Sequence, residues 1–141
     1  MIIKNIQNLI AGLVLVVLLA GCTAEEISIN EIEFFIAKEW KIESVIVNGE
    51  PVTDTDLSQY RLTLNKDFTF TRVTIDGKDE AGEWKLTAGL SQFVLFVNDP
   101  REEHYLVLDL AVRRLEMRIL QDSFKQGELD IRYILIPVKG Q

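Results

Sequence analysis

Cysteine and histidine are nearly missing from these 141 residues: Cys22 is the one thiol and His104 the one imidazole. A single cysteine excludes an internal disulfide framework. A single histidine with no free thiol to join it is too little for a zinc site. Positive charge is scarce, with 15 Lys and Arg against 22 Asp and Glu and a formal net charge of −7. That balance argues against nucleic acid as a partner and against a polybasic grip on anionic lipid. Signatures of catalysis are also missing. There is no Gly-rich phosphate loop and no Gly-x-Ser-x-Gly elbow. Asp54-x-Asp56 offers too few oxygen ligands, and no turn glycine, for calcium. Glu102 and Glu103 are consecutive, so in a strand they point to opposite faces and make a poor acid/base pair. His104, beside Glu103 near a strand start, reads as a solvated residue. No cofactor and no metal are expected, and the chain reads as non-catalytic.

What the sequence does have begins with an uncharged apolar run from Leu9 to Ala20, preceded by Lys4 and polar Asn5, Gln7 and Asn8. The run is shorter than the ~20 residues that span a bilayer as a helix and suits a signal-peptide h-region. It closes on Leu19-Ala20-Gly21-Cys22, which resembles the lipobox of bacterial lipoproteins. The resemblance implies cleavage before Cys22, a diacylglyceryl group on its sulfur and an amide-linked acyl chain. Three chains exceed the two signals that stable anchoring needs. The expected organisation is a lipoprotein signal peptide over 1–21, a lipidated tether over 22–30 and one domain over 31–141. The leader holds one of the 15 basic residues and none of the 22 acidic ones, which leaves 14 against 22, a net charge of −8 on the mature chain.

Past the tether, Asn30 and Glu33 form a capping-box pattern, and Ile29, Ile32, Phe35 and Ile36 fall on one helical face. This spacing predicts a short amphipathic helix over 31–37, with a strand over 29–36 as the alternative. From Glu39 the period changes to two. Strands are predicted at Trp40 to Val47, Tyr60 to Asn65, Phe68 to Ile75, Gly82 to Thr87, Phe93 to Val97, His104 to Leu110, Leu115 to Ile119 and Leu129 to Leu135. Asn48-Gly49 and Asp76-Gly77 are turn signals. In the strand from His104, the residues His104, Leu106, Leu108 and Leu110 share one face, with Tyr105 and Val107 opposite. The phase slips at Arg72, which predicts a β-bulge turning that residue outward. The alternative is an Arg72 pointing inward with Phe68 and Phe70. Eight meander-connected strands with one apolar face close most naturally into an up-and-down antiparallel barrel, because closure removes the exposed edges. A two-sheet β-sandwich is the alternative.

Lys38-Glu39-Trp40-Lys41 resembles the Gly-x-Trp start of lipocalin-like barrels, with Lys38 standing where that pattern has Gly. Tyr60 to Phe70, Gly82-Glu83-Trp84-Lys85-Leu86 and Ile131 to Pro137 resemble strands of small lipocalin-like (calycin-type) lipoproteins of Bacteroidetes-like bacteria. The resemblance covers 36–137. It implies a lipid-anchored barrel held at the bacterial outer membrane, facing the periplasm or the surface. It also implies that acidic residues close behind the lipidated cysteine, here Glu25 and Glu26, favour export to the surface.

Trp40, Phe68, Phe70, Trp84, Phe93 and Tyr133 either fill the barrel or line a pocket, since eight strands are just wide enough for either. If the barrel holds a small apolar or amphipathic ligand, the expected site is Phe70, Arg72, Trp84, Leu106 and Tyr133 near the open end, with Arg72 receiving an acidic head. The alternative is a filled barrel acting as a structural or interaction module with another envelope protein.

Overall fold

Alternation of polar and apolar residues yields antiparallel strands, and the sheet they form closes on itself. A computed structural model describes residue 33, residues 35–87, 89, 91–120 and 129–139. The strands are β1 (Glu39–Val47), β2 (Glu50–Pro51), β3 (Arg61–Leu64), β4 (Thr69–Val73), β5 (Asp79–Thr87), β6 (Gln92–Leu95), β7 (Glu103–Ala111), β8 (Arg114–Leu120) and β9 (Ile131–Pro137). They hydrogen-bond in the order β2-β1-β3-β4-β5-β6-β7-β8-β9, and β1 also pairs with β9 from Trp40↔Pro137 to Val47↔Ile131. That last pairing closes the sheet. The architecture is therefore an eight-stranded up-and-down barrel, with two-residue β2 as a flap on β1, and the sandwich is excluded. The Asn48-Gly49 turn makes the flap, with φ of 50° and 83°, the left-handed pair that two-residue hairpins favour.

The signal peptide over 1–21, Cys22 and the tether over 22–30, with Glu25 and Glu26, lie outside the described residues. Of the expected helix over 31–37 the described residues show a single turn. Glu33, Phe35 and Ile36 are helical, and the Ala37 N–H donates to Glu33 O at 3.1 Å. This turn closes the base of the barrel. Ile36 is fully buried, its carbonyl accepts from Trp40 Nε1 at 2.8 Å, and Lys38 Nζ lies over the Trp40 ring at 5.4 Å. Lys38 Nζ also donates to Val112 O at 3.0 Å. The residue that departs from the Gly-x-Trp pattern thus covers the tryptophan and ties the N-terminal turn to the β7–β8 connection.

The core rises from this base as an aromatic column. Phe68, Trp84, Phe93 and Tyr105 succeed one another with ring centroids 5.2, 6.0 and 6.0 Å apart, and Phe70 meets Phe96 edge-on at 4.9 Å. Trp84 Nε1 donates to Asn65 O at 3.0 Å, so its one polar atom is satisfied inside the apolar interior. Gly82 is where the core is tightest. A Cβ built there would stand 3.0 Å from both Phe70 Cε1 and Phe96 Cδ1. Gly82→Ala should therefore force two packed rings apart and cost about 1–3 kcal/mol. The check is a denaturant titration, in which the midpoint falls while the slope stays constant. An unchanged midpoint would show that the rings yield freely.

Two expectations about strand phase are corrected. No bulge interrupts β4: it pairs residue for residue with β3 from Leu64↔Phe70 to Arg61↔Val73 and with β5 from Thr69↔Glu83 to Val73↔Asp79. Arg72 is therefore inward and buried, with Phe70, while Phe68 sits at a left-handed turn (φ 65°) and is 41% exposed. The register shifts fall instead between Ile42 and Ser44 in β1 and between Val107 and Asp109 in β7. Before the shift in β7, Tyr105 and Val107 face the core; after it, Leu110 does. Leu106 and the 41%-exposed Leu108 lie on the other face.

Candidate functional site

The end opposite the N-terminal turn is open. It carries the turn over 74–78, the connection over 96–102 and the starts of β7 and β9. A cavity of about 830 Å³ opens there, and among the described residues its wall includes Tyr60, Arg72, Ile75, Glu103, Tyr105, Ile119 and Tyr133. Asp76, Glu102 and His104 stand at its rim. Beneath it the barrel is filled, since Trp40, Leu62, Phe70, Trp84, Phe93, Phe96 and Leu135 are all buried to 2% exposure or less.

Arg72 forms the boundary between the two regions. β4 alternation turns it inward one step above Phe70, and its guanidinium lies 5.4 Å from the Phe96 ring centroid. A buried cation needs partners, and strands β5 and β7 bring them. Arg72 Nε and Nη2 donate to Glu80 Oε2 at 2.7 and 2.5 Å. Nη1 and Nη2 donate to Glu103 Oε2 and Oε1 at 2.7 and 2.8 Å, a bidentate pair. Nη1 also reaches Tyr105 Oη at 3.4 Å. All five N–H groups of the guanidinium are thereby directed at protein acceptors. Tyr105 Oη in turn donates to Glu103 Oε2 at 2.5 Å.

Each ionisation follows from this network. Burial acts against the Arg72 charge, but the bonds to Glu103 and Glu80 outweigh it and raise its pKa, so it stays ionised. Burial pushes the Glu103 carboxyl up, and the hydrogen bonds from Arg72 and Tyr105 overcome this and hold it below the usual carboxylate range. Burial raises the hydroxyls of Tyr60, Tyr105 and Tyr133, and Glu103 reinforces the effect. The three phenols are therefore neutral at any ordinary pH. Tyr60 and Tyr133 stack at 6.2 Å with their planes 14° apart. At the rim His104 Nε2 and Glu102 Oε1 are 2.7 Å apart.

Of the residues expected to form the site, Arg72 and Tyr133 line the cavity. Phe70 and Trp84 belong to the filled core below it, and Leu106 is on the outer side of β7, because the shift beyond Val107 reverses the phase assumed for that strand. Tyr60, Glu80, Glu103 and Tyr105 were missed. One signal could have found them: an inward arginine in an apolar barrel requires inward carboxylates, and Glu80 faces it from adjacent β5 while Glu103 reaches it from β7.

No protein-family model and no curated protein matches the chain. Among solved structures it is similar to a lipocalin-like protein from Bacteroides uniformis, with a TM-score of 0.50 and 14% identity over 74% of this chain and 99% of that one. The fold is lipocalin-like. Its open end is a mouth cavity over a filled base rather than a through-going lumen.

Proposed function

We propose that this chain is a lipoprotein anchored through Cys22 in the outer membrane, whose barrel binds a small apolar or amphipathic ligand without chemistry. The observation that carries the binding reading is the mouth cavity of about 830 Å³, within the size range of small-molecule sites, with tyrosines and Ile119 on its walls. Among the described residues the inward charges of the cavity are locked together: Arg72 is held between Glu80 and Glu103, and Glu103 stays ionised beside it, which leaves the carboxylate no proton to donate at neutral pH. Every described element lies within 33–139, so a chain starting at residue 23 retains the whole barrel. Titrating that soluble form with an environment-sensitive apolar fluorophore should give saturable binding. Its absence would favour the interaction-module reading.

The anchor has its own test. Mass spectrometry of the protein isolated from membranes should show an acylated Cys22 at the amino terminus, and Cys22→Ala should accumulate as precursor. An intact Met1 on the membrane-bound form would refute the lipoprotein reading.

A further inference from the structure

The composition of the mouth cavity specifies the charge of what it holds. We infer that the cavity takes a cationic amphiphile, an organic ammonium head with a short apolar tail, and rejects the corresponding acid. The inference rests on the binding reading above and deepens it.

An acidic ligand would need a free cation, and Arg72 is not one. Its N–H groups are directed at Glu80, Glu103 and Tyr105, so an incoming carboxylate would have to strip an existing partner from it. Two carboxylates around one guanidinium leave a net charge of −1 at the floor. The described rim adds Glu102, and Asp76 there is matched by Lys78. The nearby cations are themselves engaged: Lys78 lies 3.5 Å from Asp76, and Arg101 pairs with Asp99 at 2.9 Å and lies 4.4 Å from the Phe96 ring centroid. The Glu103 side chain is one-third exposed, so it keeps lone pairs facing the cavity. The tyrosines complete the match. Tyr133 is half-buried at the wall, and a phenol ring attracts an ammonium through its face, while Tyr60 and Tyr105, each 5% exposed, bring neutral hydroxyls to the same wall. Ile75 and Ile119 offer apolar surface for a tail.

Three probes that share a ten-carbon chain isolate the head group: decyltrimethylammonium, decanol and decanoate. Each displaces the apolar fluorophore from the chain starting at residue 23, at neutral pH and low salt. The ammonium should bind about tenfold or more tighter than the carboxylate, with the alcohol between them. Raising the salt should narrow that ratio in the unaltered protein. Glu102→Gln, a rim change that leaves the buried network intact, should narrow it as well. Decanoate binding as tightly as the ammonium, or a ratio indifferent to both salt and Glu102→Gln, would overturn the charge inference and leave the binding reading standing. Displacement by none of the three, with no saturable fluorophore binding, would overturn the binding reading itself.

Discussion

Trp84→Ala and Trp40→Ala should each lower stability by about 3–5 kcal/mol, the largest losses from any single truncation in this barrel. Trp84 is 1% exposed and Trp40 fully buried, and each is pinned at both ends. Trp84 touches Phe68 and Phe93 while its Nε1 reaches Asn65 O. Trp40 sits between the Ile36 carbonyl and the Lys38 ammonium. Packing, not hydrogen bonding, supplies most of the effect. The Asn65 carbonyl also accepts from the Phe68 N–H, and the Ile36 carbonyl from the Lys38 N–H, so neither is orphaned when the indole goes. Trp84→Phe keeps most of the ring volume and should cost far less than Trp84→Ala. Glu83→Ala, one residue away on the exposed face, should fall within the scatter of surface substitutions. Chemical denaturation of the four variants checks this, and comparable losses at 83 and 84 would contradict the strand phase.

The tryptophans were legible in the sequence because each sits in a run whose other face is polar: Glu83, Trp84, Lys85 and Leu86 leave one reading. Asn48-Gly49 was legible because few residue pairs tolerate two successive left-handed conformations. β7 was not legible, for a physical reason. His104 to Leu110 carries apolar residues on both faces, and its partner β6 is also buried on both: Val94 is 1% exposed although it pairs with outward His104, and Phe93 and Leu95 beside it are fully buried. Alternation then cannot say which face is the core, and the register shift between Val107 and Asp109 removes the parity by which Leu110 would have fixed Tyr105. The site at the mouth was hidden by a different cause. Glu80 stands directly opposite Arg72 across the β4–β5 pairing, but Glu103 is 31 residues away on β7, and only an inward phase for Arg72 would have pointed to either. A charged residue at an inward position looks like a slipped phase until the carboxylates across the barrel are seen.

Arg72→Leu should destabilise the protein by about 2–4 kcal/mol at neutral pH, toward the lower end of what breaking a buried ion pair costs, because the two carboxylates left behind are partly wet. Glu80 and Glu103 are 27% and 34% exposed in their side chains, against 9% for Arg72. The size alone would not distinguish a lost ion network from lost packing against Phe96, but the pH dependence does. In the wild type Glu103 titrates below its ordinary value. Its contribution is complete above the unfolded carboxylate range, about pH 4.3, and is lost as the pH falls through the lower folded value. Without Arg72 the sign reverses. Burial and the neighbouring Glu80 then raise Glu103, the folded state binds the proton more tightly than the unfolded chain, and acid stabilises the variant. The gap between wild type and Arg72→Leu should therefore be widest at neutral pH and shrink toward about pH 4. Adding Glu103→Gln to Arg72→Leu should recover part of the neutral-pH loss, whereas Glu103→Gln alone should weaken the wild type, a coupling of opposite signs that double-mutant analysis reads directly. A penalty constant from neutral to acid pH, with additive single and double variants, would show that the arginine serves as a packing element and that its carboxylate partners contribute nothing to the fold.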